Sequence, residues 1–333
     1  MQDRPLAIGD VESCFIAGGA GFIGSHFADR FLASARIRKV TLFDNFSSGR
    51  EWHFQHHLAR GDSRLEVVRG EVHEIEKLSE AMQGHQLVIH LASNPDIARA
   101  ALEPAIDFDQ GTVLTHSIVE AMRRTGAARL IYASGSGIYG DVGDTVMAED
   151  HGPLIPVSTY GASKLAGEAL IASYCAMFGL TACAFRFGNV VGARQTHGVG
   201  FDFVRRLRGD PSRLRILGDG RQSKTYVHVS DVVEAVLTAC GQVSEGFSAF
   251  NVGTGDAITV TEIAEIAAEC LHLEKMPAFE YTGGDRGWKG DVPVVRLDTG
   301  KIRSLGWEPR LGSRDAIYQS LQELIADERT FAH

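Results

Sequence analysis

Cysteine is scarce in this 333-residue chain: Cys14, Cys175, Cys183, Cys240 and Cys270 are an odd five with no C-x-x-C spacing. Each sits in an apolar stretch, so buried free thiols in a reducing, cytoplasmic setting are expected rather than a disulfide framework. Long apolar runs are missing too. None approaches the ~18–20 residues of a membrane span, and no basic-then-apolar segment marks an export signal at the N-terminus. Positive charge is in deficit, with 33 Lys and Arg against 42 Asp and Glu, a net charge of −9. An acidic protein attracts neither nucleic acid nor an anionic membrane, so neither is expected as a partner. Arg205-Arg206-Leu207-Arg208 and Arg213/Arg215 are local exceptions, read as solvated helix face in preference to an anion site. His53, His56 and His57 lie close together in a polar stretch without a cysteine partner, and no metal is expected there.

What is present is an ordinary globular composition, 44% hydrophobic and 23% charged, at a length suited to one or two domains. Cys14-Phe15-Ile16-Ala17 is an apolar run that breaks into Gly18-Gly19-Ala20-Gly21-Phe22-Ile23-Gly24, followed by apolar residues at helical spacing. Strand, tight turn and helix in that order bring free helix amides up to a pyrophosphate. The next apolar run, Lys39–Phe43, ends in Asp44, twenty residues after Gly24, where a carboxylate meets the adenosine ribose. That carboxylate would repel a 2′-phosphate, and no cation sits inside the turn, so NAD is favoured over NADP; Arg50 is the nearest offsetting charge.

Apolar strands then alternate with helices: Leu65–Val68, Gln86–Ala92 ending at Ser93-Asn94-Pro95, a long amphipathic helix around 108–125, and Arg129–Ala133 ending in Ser134–Gly140. Alternation of this kind implies a doubly wound parallel sheet, with ligands beyond the carboxyl ends of the strands. Past residue 190 the texture changes to polar glycine-containing loops, short strands and helices such as Val260–Leu271, capped by Thr259 or Thr261. The expected fold class is α/β: a doubly wound parallel-sheet Rossmann domain with a smaller α/β substrate-binding lobe. Residues 11–190 would form the first, joined by roughly 225–255, and 191–224 with 256–333 the second.

Tyr160-Gly161-Ala162-Ser163-Lys164 carries the chemistry. It opens a helical run, so Tyr160 and Lys164 lie one turn apart on one face. A lysine ammonium there favours the phenolate and draws the tyrosine from its ordinary pKa near 10 toward neutrality, making it a usable base.

With these residues the chain resembles the extended short-chain dehydrogenase/reductases, specifically the nucleotide-sugar epimerases and dehydratases. The likeness spans essentially the whole chain and is carried by Gly18–Gly24, Asp44-Asn45, Ser47-Ser48-Gly49, Leu91-Ala92, Ile138-Tyr139-Gly140, Tyr160/Lys164, Arg186–Asn189, Arg194-Gln195, Leu217–Gly220, Tyr226–Val229, Asp231 and Gly290–Pro293. The resemblance implies NAD in the large lobe, held by Gly18, Gly21, Phe22, Ile23, Gly24, Asp44, Asn45, Ser47, Ser48, Gly49, Glu71, Val72, Leu91, Ala92, Ser93, Tyr160 and Lys164. It implies a UDP-sugar contacted by Asn94, Ser136, Arg186, Asn189, Arg194, Val199, Lys224, Arg286, Lys289 and Asp291, and a homodimer through the helices near 108–125 and 162–178. In such a 4-epimerase Tyr160 takes the sugar 4-hydroxyl proton, hydride passes from C4 to NAD and returns to the opposite face, and Lys164 holds the nicotinamide ribose. UDP-glucuronate is slightly favoured over UDP-glucose or UDP-N-acetylglucosamine, because Arg186 could meet a carboxylate.

Three departures from the family pattern stand out. The usual catalytic Ser or Thr is Gly135, flanked by Ser134 and Ser136, of which Ser136 is the preferred substitute. Dehydratases carry Asp-Glu where this chain has Ser136-Gly137, which disfavours elimination and decarboxylation. Lys224 and Trp288 stand where arginines are usual, with Arg286 and Lys289 adjacent. A catalytically lapsed dinucleotide-binding protein is the alternative that Gly135 keeps open.

Overall fold

A computed structural model describes residues 8–94 and 97–331; Pro95, at the expected end of the fourth strand, and the last two residues of the second lobe's span lie outside them. Seven parallel strands form the central sheet: β1 (Ser13–Ala17), β2 (Lys39–Asp44), β3 (Leu65–Arg69), β4 (Leu87–His90), β5 (Arg129–Gly135), and, after the short β6 (Val146–Met147), β7 (Thr181–Phe187). Next come β8 (Asn189–Val191), β9 (Arg213–Ile216), β10 (Ser223–Lys224) and β11 (Tyr226–His228), then β12 (Phe247–Val252), which completes the sheet in the order β12-β7-β5-β4-β1-β2-β3. The order reverses between β1 and β4, so the crevice at their carboxyl ends is where such a sheet takes a ligand.

Each face of the sheet is covered by helices whose apolar residues recur at helical spacing. On one side α1 (Phe22–Leu32) buries Phe27, Ala28 and Phe31. On the other lie α3 (Ile75–Met82), which follows the short α2 (Gln55–Ala59), and α5 (Leu114–Thr125), which follows the single turn α4 (Ala105–Asp107). The helix α6 (Thr159–Phe178) shares that second face; Ser158 Oγ accepts from Gly161 N at 3.0 Å to cap its start. The long helix expected around 108–125 is interrupted: residues 108–113 form a π-turn between α4 and α5. This turn packs closely against α6, where a Cβ on Gly111 would lie 1.9 Å from Ser163 Oγ.

The later helices are α7 (Val199–Gly209), α8 (Val229–Cys240), α9 (Val260–Cys270), α10 (Gly300–Arg303) and α11 (Ser313–Ala326). Of these, α8 packs in the α1 core, and α7, α9 and α11 share a separate apolar core with β9. The small strands pair outside the main sheet: β8 with β11, β10 with β13 (Ile258–Thr259), β9 with β14 (Ala278–Tyr281), and β6 with β15 (Arg296–Leu297). Of the two threonines expected to cap α9, Thr259 does so, in a reciprocal capping box with Glu262.

Candidate active site

A continuous cleft of about 1260 Å³ runs from the Gly18–Gly24 turn, across the ends of β4 and β5, to the lobe built on α7 and α9. Its first end is shaped by backbone proximity. Gly18 has φ +79° and sits where a Cβ would come within 2.8 Å of Ala92 N; a Cβ on Gly24 would come within 2.5 Å of Gly18 O. Only glycine allows the turn to close and leaves the first amides of α1 open to an anion. Asp44 is anchored by the amides of Ala20 (2.9 Å) and Phe46 (2.7 Å), one on each carboxylate oxygen. Burial raises its pKa although both amides oppose this, and each oxygen keeps a lone pair for a diol. Asn45 Nδ2 donates to Glu71 Oε2 at 3.1 Å, and Ser47, Ser48 and Val72 line the same end. Gly49 stands behind this wall instead: a Cβ there would meet Asp44 Oδ1 at 2.9 Å. A cradle that any side chain would fill, joined to a fixed carboxylate twenty residues on, fits a dinucleotide.

Tyr160 and Lys164 line the middle of the cleft with Leu91, Ala92, Ser93, Asn94, Gly135, Ser136 and Gly137. Lys164 Nζ donates to Ala133 O at 2.8 Å and lies 5.5 Å from the centre of the Tyr160 ring. Here the expected acidic phenol is corrected. Burial pushes Tyr160 up to about 12, against a hydrogen bond from Ser93, and burial draws Lys164 down to about 8. One helical turn brings the pair together, but desolvation is the largest influence on the phenol.

Ser134 and Ser136 separate cleanly. Ser134 shares the parity of Leu130 and Tyr132, facing α6, and its Oγ donates to Glu168 Oε1 at 2.6 Å. Its hydroxyl is therefore withdrawn from the reacting position. Ser136 starts the turn beyond β5, half-buried on the cleft wall.

Arg186 does not reach the cleft. It forms a fork with Glu168 (Nε–Oε1 3.1 Å, Nη2–Oε2 2.8 Å) and donates from Nη1 to Tyr139 Oη at 2.9 Å and Glu149 O at 2.8 Å. Arg194, with φ +68°, turns instead toward α1, where Nη2 meets Asp29 Oδ2 at 2.7 Å. Arg286 is held by Asp141 at 2.5 Å and by Asp291 O, and neither it nor Lys289 lines the cleft. Lys224 does, its Nζ 2.5 Å from Asp291 Oδ1, with Asn189, Val199, Asp291 and Trp288 nearby on the wall. Arg206, Gln195 and His197 also line it. Arg206 is exposed, as the solvated-face reading expects, with Nη1 donating to Arg215 O at 2.9 Å, and it also borders the cleft; Val199, Phe203 and Arg206 recur at helical spacing on one side of α7, a pattern that marks them as a common wall.

Among the described residues one group has metal-ligand geometry: Asp29 Oδ1 accepts from His57 Nε2 at 2.6 Å and His56 Nε2 at 3.0 Å. Burial works against the Asp29 carboxylate, but the His57 hydrogen bond and the Arg194 charge hold its pKa at about 2. The guanidinium on the same carboxylate opposes a second cation.

Comparison with known proteins places this geometry among relatives. Residues 14–253 match the NAD dependent epimerase/dehydratase family. The chain is 30% identical over 314 residues to the UDP-glucose 4-epimerase of Mycolicibacterium smegmatis, covering 92% of this chain and 96% of that one. It superposes on a crystal structure of UDP-galactose 4-epimerase with TM-score 0.83 and 34% identity, over 94% of this chain and 99% of the other. MoeE5 in complex with UDP-glucuronic acid and NAD gives TM-score 0.82 at 28% identity, with the same coverage.

Proposed function

The chain belongs to the NAD dependent epimerase/dehydratase family, and from that premise we propose that it interconverts C4 epimers of a neutral UDP-hexose. The observation that carries this reading is the wall around Tyr160. Ser93 and Lys164 flank the phenol on the cleft that begins at the glycine turn, while Gly135, Ser136 and Gly137 bring no carboxylic acid to it. Elimination of water needs an acid and a base besides the redox pair, and Gly137 can be neither.

When bound, NAD would supply the hydride acceptor and donor that oxidation and reduction at C4 require, together with a positive charge in the cleft. Gly18, Gly21 and the first turn of α1 would hold its pyrophosphate, Asp44 its adenosine ribose, and Lys164 the nicotinamide ribose. Tyr160, as phenolate, removes the 4-hydroxyl proton as C4 is oxidised, then returns it once the 4-keto sugar has presented its other face. Ser136 would hydrogen-bond that hydroxyl, since Ser134 is engaged by Glu168. Lys224 and Arg206 would face the diphosphate, and Asn94, Asn189 and Val199 would line the path between. A neutral sugar is preferred over glucuronate because Glu168 holds Arg186, the cation otherwise suited to a carboxylate.

The exposed Met177 and Phe178 at the end of α6 support a homodimer through α5 and α6, and the cysteines, all free, suit a reducing cytoplasm. Residues 11–190 with 225–255 would hold the cofactor and the remainder the sugar nucleotide. Incubation with UDP-glucose, UDP-galactose and UDP-glucuronate, followed by proton NMR, tests the activity. Glucose–galactose exchange without loss of water or carbon dioxide is the expected result, and no turnover by NAD-loaded protein would overturn it.

A further inference from the structure

Asp107 is 1% exposed, and among the described residues its two side-chain hydrogen-bond partners are neutral. Asn94 Nδ2 donates to Oδ1 at 2.8 Å and Thr159 Oγ1 to Oδ2 at 2.7 Å. Asn94 directly follows Ser93, whose hydroxyl meets the Tyr160 phenol, and Thr159 directly precedes Tyr160. One carboxylate thus ties together the two segments that carry the phenol and its hydrogen-bond partner. It does so at the end of α4, where the chain widens into the π-turn that brings Asp109 and Gln110 to the cleft. A buried carboxylate with no direct counter-ion among the described residues is expensive to keep, and an asparagine could hold the same two partners with one hydrogen bond reversed, its amide donating to Thr159 Oγ1.

We propose that Asp107 is a positioning residue for proton transfer at Tyr160: its carboxylate clasps the end of β4 to the start of α6 and fixes one negative charge behind both Tyr160 and Lys164. This rests on the reading of Tyr160 as the base. The charged and titratable neighbours are few. Lys164 comes from the same helix and Tyr132 from β5, its ring centre 5.2 Å from Lys164 Nζ. His90, at the end of β4, is pushed by burial down to about 3 and stays neutral. Asp109 lies on the cleft wall. The Asp107 charge raises both Tyr160 and Lys164, opposing the phenolate and favouring the ammonium.

The signs give the proposal a signature. Replacing Asp107 by Asn keeps the shape and removes the anion, so the phenolate forms more readily and the ammonium is lost more readily. Both limbs of the kcat–pH profile, which belong to the coupled pair, shift to lower pH by about 0.5–1 unit each. Profiles of the NAD-loaded wild type and Asp107→Asn are measured alongside tyrosinate absorbance, each corrected with its Tyr160→Phe counterpart to isolate Tyr160. Unmoved limbs with only a lower plateau, or an unmoved Tyr160 titration, would overturn the charge role. Thr159→Val cuts one arm of the clasp and leaves the charge, and serves too if Asp107→Asn does not fold. A several-fold fall in kcat with unmoved limbs is expected, and wild-type kcat would overturn the clasp. The absorbance titration needs no turnover, so it reads Asp107's effect even if Tyr160→Phe remains active and the base assignment fails.

Discussion

Replacing Glu168 by Gln tests the reading of Arg186 and, through it, the preference for a neutral sugar. Both side chains are almost completely buried, at 5% and 6% exposure, and meet in a two-pronged contact that also collects Ser134 Oγ. Glutamine keeps the volume but turns one acceptor into a donor facing the guanidinium, leaving a buried charge uncompensated. Breaking a buried pair from one side costs about 3–5 kcal/mol. An unfolding entropy of about 2.1 cal/mol/K per residue comes to roughly 0.7 kcal/mol/K over this chain, so Tm should fall by about 4–7 °C. Replacing both residues by Met should recover part of that loss, because no lone charge remains. Calorimetry of the wild type, the single variant and the double variant measures this, with KM for UDP-glucose and UDP-glucuronate determined in parallel. A Tm within a degree of wild type, together with a selective change in KM for UDP-glucuronate, would place the guanidinium at the sugar and refute the reasoning.

Tyr160→Phe should lower kcat by about 10²–10⁴-fold, the usual range for a lost general base, while calorimetric NAD affinity stays the same; retained kcat would remove the tyrosine from the reaction. Gly24→Ala sets a methyl 2.5 Å from Gly18 O and 2.8 Å from Gly19 Cα. Backbone cannot yield cheaply there, so a loss of about 1–3 kcal/mol in stability and failure to retain NAD on purification are expected, and full NAD occupancy would count against the cradle. Asp29→Asn releases Arg194 at the base of the loop that carries Gln195 and His197 into the cleft; KM for the UDP-sugar should rise about tenfold, a ~1.4 kcal/mol effect, with kcat little changed. His53 and His90 are buried and neutral, their pKa values drawn by burial to about 4 and about 3. Unfolding restores values near 6.5 and lets both take up protons. Their contribution to stability is therefore full above pH 6.5 and lost as pH falls toward 4, by up to ~1.4 kcal/mol per pH unit for each. Thermal midpoints between pH 7 and 4.5 should show this slope, and a His90→Gln variant that unfolds with an equal slope would contradict it.

Local chemistry was legible in the sequence; chemistry that depends on a distant partner was not. The Gly18–Gly24 turn, Asp44 and the Tyr160/Lys164 pair are short-range patterns whose geometry follows from one strand, one turn or one helical step. Arg186, Arg194 and Arg286 looked like ligands for the same reason any cation near a site does, and each is taken by a carboxylate supplied by the fold: Glu168, Asp29 and Asp141, the last two 165 and 145 residues away in sequence. Arg206 could have been found, because Val199 and Phe203 share its side of α7. Asp107 carried no signal at all, since its partners come from the end of β4 and the start of α6.

Tyr160 marks the boundary between the two kinds of information most sharply. Spacing on a helix settles which groups are neighbours but says nothing of how far water has been withdrawn from them. Removed from solvent, the phenol resists ionisation in spite of the hydrogen bond from Ser93. In the proposed reaction, positive charge brought into the cleft would supply the difference and so couple proton abstraction to occupancy of the dinucleotide end. On that proposal a phenol held protonated until the charge arrives would leave the sugar untouched in its absence, and the Asp107 carboxylate, opposing the phenolate from behind, would strengthen that dependence.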